Sequence, residues 1–188
     1  MNLLLGEARF YFAQCVFNTA CHYAAVDRYS KSKKWRQIVV WVITASTIAL
    51  FASSIIFWEC EWLKCLKVLS LLGTTLTAAS LIFEFFNRKD LTEFMFYHKQ
   101  AAEDYKSLRD NLMDLIRQIK SGELENTEKS LKQYLHDYAI IGKYALQTTY
   151  KDYLKAQVSL GLNGKGELFT WSQKEIDRFL PIELKEEA

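Results

Sequence analysis

From Gln37 to Trp58 the chain carries no charged side chain, and a second uncharged stretch runs from Val68 to Phe83. At ~1.5 Å per helical residue, the first is long enough to cross a hydrocarbon core of ~30 Å. The second reaches that length when Leu63 to Leu66 and Phe85-Phe86 are added, with Lys67 and Glu84 extending their charged ends towards the interfaces. Glu59-Cys60-Glu61-Trp62-Leu63-Lys64 separates the two, a connection too short to be a domain. The pattern predicts a transmembrane hairpin with spans at about residues 37–58 and 64–86. A soluble protein with two buried core helices is the alternative, but such helices rarely need more than ~14 uninterrupted apolar residues.

Outside the spans the pattern stays helical. Leu3 to Lys31 reads as one helix, apolar around much of its circumference through Phe10, Phe12, Val16, Phe17, Tyr23 and Val26. It should pack in a bundle or lie against the membrane; burial is favoured because Glu7, Asn18, His22 and Asp27 do not form a lysine-rich interfacial face. Neither Gly nor Pro occurs from Thr74 to Ser121, so the second span should continue into the cytoplasm. There Leu91, Phe94, His98, Ala101, Tyr105, Leu108, Leu112, Leu115 and Ile119 keep 3–4 spacing. This heptad seam requires a partner helix from the same chain or a neighbouring subunit, which makes it a candidate oligomer seam. Ser121-Gly122 should end the helix. A further helix is expected from Asn126 or Thr127, burying Leu131, Tyr134, Leu135, Tyr138 and Ile141 and continuing past Gly142 to about Val158. Gly161 to Gly166 reads as a flexible turn, without the GK[ST] ending of a phosphate loop. Thr170 with Gln173 suits a capping box for a short helix closed by Pro181, and Glu183 to Ala188 should fray.

Charge orients the hairpin. Arg28, Lys31, Lys33, Lys34 and Arg36 precede the first span and Arg88-Lys89 follow the second, whereas the connection offers Lys64 and Lys67. Basic residues favour the cytoplasmic side, so both termini should be cytoplasmic. Four of the five tryptophans, Trp35, Trp41, Trp58 and Trp62, fall near span ends, where indole rings settle among headgroups. A net charge of +2 and a mean hydropathy of −0.09 conceal this division. Residues 1–36 hold six basic and two acidic side chains, and residues 123–188 hold nine basic and eleven acidic. The basic block fits topology and anionic lipid better than nucleic acid, and no direct nucleic-acid binding is expected. Met1 to Phe12 does not read as a cleavable signal, since Glu7 and Arg9 interrupt it.

Candidate chemistry is sparse. His22, His98 and His136 lie far apart without an HExxH or His-x-Glu companion, so no enzyme, cofactor or metal site is expected. His98 on the seam suits a buried, hydrogen-bonded histidine that sets register. The four cysteines suggest no metal site and read as inert thiols; Cys60 and Cys65 lie near the outer face, where a disulfide is the alternative. In the second span Ser70, Gly73, Thr74, Thr77 and Ser80 share a face that Lys67 and Glu84 extend. Such a stripe is a candidate for pore lining or for helix packing, with Leu81 on the same face as a possible hydrophobic gate. Thr44, Thr47 and Ser54 form a thinner stripe in the first span. Two helices cannot enclose a pore, so conduction would require a homo-oligomer.

His22-Tyr23-Ala24-Ala25-Val26-Asp27-Arg28-Tyr29-Ser30, followed by Lys33-Lys34-Trp35 and the first span, resembles the opening of SLATT domains. These are two-transmembrane effectors associated with bacterial nucleotide-second-messenger systems. His98 to Arg109, including Tyr105, is similar to the segment after their second span, and order and spacing agree over roughly residues 15–120. The resemblance implies an anti-phage or conflict role as a pore-forming inner-membrane effector. It also implies work beside a sensor, a nucleotidyltransferase or a reverse transcriptase.

The expected architecture is an all-α membrane protein with a two-span transmembrane hairpin, an N-terminal helix and long cytoplasmic helices forming a bundle or coiled coil. Its regions are an N-terminal helix and basic flank (1–36), the hairpin (37–86), the extension of the second span (87–122) and a helical C-terminal region (123–188). The expected partners are the lipid bilayer and further copies of the chain. The alternative to a pore is a non-conducting, membrane-anchored scaffold that binds a partner protein.

Overall fold

A computed structural model describes residues 2–56, 64–123, 125–162 and 171–185. Every regular element among them is helical: α1 (Asn2–Ile56), α2 (Lys64–Ser121), α3 (Thr127–Tyr144), α4 (Tyr150–Leu160), α5 (Gln173–Asp177) and a 3₁₀ turn (Ile182–Leu184). The chain divides into two compact units. The first comprises Met1–Asp27 with Met95–Ala188, and the second is Arg28–Phe94.

The predicted N-terminal helix and first span are one helix, α1. The basic flank between them introduces no break, because Lys and Arg are good helix formers and no proline intervenes. α2 likewise runs unbroken to Ser121, and Gly122 then takes φ 83°, the left-handed backbone that ends a helix most readily at glycine.

In the first unit the core joins Ala8, Phe12, Ala13 and Cys15 of α1 to Tyr105, Leu108, Leu112, Leu115, Ile116 and Ile119 of α2. Leu131 of α3 and Ile176, Leu180 and Leu184 complete it. Tyr134, Leu135, Tyr138 and Ile141 of α3 are half-buried against the same core. A smaller cluster packs Phe17 and Cys21 against Ala156 and Leu162. From Tyr105 to Ile119, the seam expected as a candidate oligomer surface is therefore covered by the chain itself. The partner helix that its heptads require is α1, whose Ala8, Phe12 and Cys15 recur at matching 4–3 spacing.

The C-terminal region departs from expectation in three places. α3 stops at Tyr144, with Ala145 extended, instead of continuing to Val158. A new helix starts at Tyr150, where Thr149 and Asp152 form a reciprocal capping box that favours a fresh N-terminus over continuation. Before α5 the capping pair is Ser172 with Glu175, whose Oε2 accepts from the Ser172 amide at 2.9 Å and its hydroxyl at 2.7 Å. Thr170 and the turn at 163–166 lie outside the described residues. Glu183 and Leu184 are not frayed: they belong to the 3₁₀ turn, and Leu184 is buried.

In the second unit α1 and α2 lie side by side and antiparallel. Tyr29 stacks on Phe94 with ring centroids 5.6 Å apart, Lys33 Nζ donates to Thr92 Oγ1 at 3.1 Å, and Thr47 meets Thr77. Among the described residues one helix, α1, is long and apolar enough to cross a membrane. An 18-residue window of it has mean hydropathy 1.5, and 6% of that window is buried. A core helix of a soluble protein would be mostly covered.

Candidate functional site

The second unit turns the usual burial pattern inside out. Small and hydroxylated residues sit between its helices: Thr47 and Ser70 are buried, and Gly73 and Thr77 are half-buried. Large apolar residues face outwards, among them Trp41, Ile48 and Phe51 on α1 and Leu71, Leu76 and Phe83 on α2. That distribution suits a lipid solvent, in which close backbone approach and interhelical hydrogen bonds hold helices together.

The contact centres on Thr47. Its Oγ1 lies 2.6 Å from Thr77 Oγ1, 3.3 Å from the Gly73 carbonyl and 3.0 Å from the Ile43 carbonyl. Thr77 Oγ1 is also 2.9 Å from the Gly73 carbonyl. The two hydroxyls have two hydrogens between them, so when one donates to the other, one hydrogen is left for a carbonyl. A Cβ at Gly73 would stand 3.5 Å from Thr47 Cγ2 and 3.9 Å from Leu50 Cδ1, ordinary van der Waals contact, so a methyl fits there and a longer side chain would extend against Thr47 and Leu50.

The remaining stripe residues do not act together. Thr74 is exposed and bonds back to the Leu71 carbonyl at 2.8 Å; half-buried Ser80 does the same to Thr77 at 2.9 Å. Glu84 is half-buried and Leu81 exposed. Thr44 on α1 is half-buried. The side chains of Lys67, Cys65 and Ser54 lie outside the described residues, as do Cys60, Trp58 and Trp62.

A polar centre occupies the first unit. His22 Nδ1 and His98 Nδ1 are 3.0 Å apart, both rings are buried, and His22 also stacks on Tyr105 at 5.7 Å. One ring must carry its hydrogen at Nδ1 and the other must present a lone pair, so the hydrogen bond requires that the two are not both charged. Burial, then the charge of His98, hold His22 down at about 4, with the Asp152 carboxylate opposing them. Burial pushes the thiols of Cys15 and Cys21 up to about 12, so neither is a thiolate near neutral pH. Among the described residues no group of three or more His, Cys, Asp or Glu is placed to hold a metal ion.

Some of the motif residues join elements within a unit, and others pair with their neighbour on the same helix. In the first unit, Tyr23 donates to Glu103, Asp27 pairs with Lys155, Tyr105 lies edge-on to Tyr138, and Arg109 pairs with Asp110 at 2.6 Å. In the second, the Arg28 guanidinium lies 4.2 Å from the Tyr29 ring centre. On the predicted seam Leu91 is buried and Phe94 is 41% exposed. Ala101 is buried.

Residues 4–175 match the sequence model of the SMODS and SLOG-associating 2TM effector domain family 4. The chain belongs to this family. No curated protein and no solved structure matches it. The SLATT description and the uncovered apolar length of α1 together point to a membrane effector.

One functional group had no place in the sequence reading. Arg9 is fully buried, pairs with Asp177 and donates from Nη1 to the Leu184 carbonyl at 3.2 Å. Its signal was an arginine inside an apolar run, which argued against a signal peptide but also marks a charge that must find a partner when the helix is buried.

Proposed function

We propose that this SLATT protein is a non-enzymatic effector of a bacterial conflict system that permeabilises or depolarises the inner membrane when triggered. In this reading residues 37–86 form a two-span hairpin with both termini cytoplasmic, and several copies assemble around a conducting path. The trigger comes from a sensor, nucleotidyltransferase or reverse transcriptase of the same system. The reading is carried by the combination of family membership with a helix pair whose outward face is large and apolar. The basic flank of α1 supports the orientation. Conduction along the face of Thr77 then requires the Thr47–Thr77 contact to part, so the packed hairpin represents the closed form.

That same contact supports a second reading, the non-conducting anchored scaffold, because Gly73 and Thr77 pack against Thr47. Ion release from liposomes, measured alongside oligomer size, separates the two. An effector releases ions on triggering and loses release when Thr47 and Thr77, replaced by cysteine, are locked as a disulfide. A scaffold releases none in either state. Orientation is best read from a cysteine introduced at exposed Lys34, since Cys15 and Cys21 are buried. Labelling of that cysteine from outside intact spheroplasts would overturn the cytoplasmic placement.

A further inference from the structure

Phe12 and Val16 of α1, Met113 of α2 and Phe179, Leu180 and Pro181 after α5 border a cleft of about 360 Å³ in the first unit. Phe12 and Leu180 are buried and the other four half-buried, so the apolar wall is an outer layer of the core. The charged lining is Arg109, Asp110 and Arg178. Apolar walls with a few placed polar groups are the usual make-up of a small-molecule site, and ~300 Å³ is the low end of their size. The charges do not cancel, since two guanidinium groups face one carboxylate. Arg109 donates from Nε at 2.9 Å and from Nη2 at 2.6 Å, both to the same oxygen, Asp110 Oδ1. That pairing falls short of the match in which a guanidinium fork meets two carboxylate oxygens. The two side chains are 31% and 48% exposed, and a pair so placed is held weakly. Arg178 donates to the Leu160 carbonyl and lies 5.2 Å from the Phe179 ring centre, uncharged partners that hold the guanidinium in place. Asp177, its neighbour in sequence, pairs with Arg9. Among the described residues neither Arg109 nor Arg178 has a further acceptor, so the cleft keeps spare N–H donors and one positive charge in excess.

We propose that this cleft binds a small organic acid, its carboxylate answered by Arg109 and Arg178 and its apolar body laid against Phe12, Met113 and Leu180. A carboxylate offers two oxygens to a guanidinium fork and a single charge that matches the excess. A phosphate monoester would bring a second negative charge beside Asp110. The site lies wholly within the first unit and does not depend on the membrane reading.

The full chain in lipid nanodiscs is titrated with para-fluorobenzoate and followed by fluorine NMR line width, with empty nanodiscs as the blank. Matched titrations use the neutral para-fluorobenzamide and the more highly charged para-fluorophenyl phosphate. Saturable broadening of the benzoate beyond the blank is expected, with the amide bound about tenfold more weakly or not at all. Arg109→Gln/Arg178→Gln should weaken benzoate binding about tenfold or more at unchanged helix content. Asp110→Asn should strengthen it about threefold, because the carboxylate that competes for Arg109 is gone. A gain of affinity cannot come from a misfolded chain, so this variant alone decides if the double variant loses helix content. No saturable response to benzoate, equal binding of the amide, or unchanged affinity in either variant overturns the site. Tighter binding of the phosphate than of the benzoate overturns the carboxylate assignment and gives the cleft to phosphate esters.

Discussion

Between two packed helices the hydroxyls of Thr47 and Thr77 find their partners in each other and in the nearest carbonyl. Replacing Thr77 with Val should cost about 1 kcal/mol or less, since hydrogen bonds of this kind are individually weak. Gly73→Leu should be far more damaging, because the added side chain meets Thr47 and Leu50. Disulfide formation between cysteines placed at Thr44 and Ser80 reads helix separation directly. It should persist in Thr77→Val and fail in Gly73→Leu. The histidine pair makes a prediction of a different kind. With His22 held down at about 4 against an ordinary value of 6.5, the unfolded chain takes up the proton first as pH falls. The contribution is complete above about 6.5 and is lost as pH drops towards 4. Melting temperature should therefore decline between pH 7 and 4.5, with a flatter slope in His22→Gln/His98→Gln; a rise on acidification would contradict the pairing. At this scale sequence reading reached one half of each contact. His98 stands out on its seam and Thr77 on its stripe, but their partners lie 76 and 30 residues away, beyond any local periodicity.

Two long helices carry both units, and their apolar stripes explain why. Heptad spacing on α2 demanded a partner, and the matching positions on α1 were obscured by aromatic residues around most of that helix. Leu112 is 1% exposed at the centre of the resulting core. Leu112→Asp places a carboxylate there without a partner, at a cost of several kcal/mol. The expected outcome is loss of cooperative unfolding of the first unit and rapid proteolysis within it, even in a monomeric preparation. If the variant melts normally and changes only the oligomeric state, the seam serves another subunit after all. Helix ends were legible where a single residue type dictates them, as at Gly122. They were less so where a side chain reaches back three positions. Thr149-Tyr150-Lys151-Asp152 carries the same kind of signal as the capping pair expected at Thr170, yet an apolar pattern continuing past Gly142 masked it.

At the scale of the whole molecule, average composition misleads because the two units obey opposite burial rules. The first hides its large apolar residues, and the second displays them. Sequence statistics become informative only when the uncharged stretches are read separately. The ion pair of Arg9 with Asp177 shows how distant segments close the first unit: Arg9 is fully buried and Asp177 is 18% exposed. Asp177→Ala should destabilise that unit by about 3–5 kcal/mol by leaving a buried cation without its carboxylate. Arg9→Met/Asp177→Ala should recover much of the loss. Urea unfolding followed by the fluorescence of Trp171, which packs on the same core, would report both. Equal stability of the single variant and the unaltered chain would show that the pair contributes nothing.

That ion pair also imposes an order of events during synthesis. Arg9 leaves the ribosome early, yet its carboxylate partner comes 168 residues later and its carbonyl partner 175 residues later. At ~5–20 residues per second the interval is roughly ten to thirty seconds. Residues 37–86 are made well inside it, so both uncharged stretches emerge before the first unit can close around the guanidinium. Closure thus reports that translation has passed Leu184, and a chain stalled earlier would present those stretches with Arg9 still unfastened.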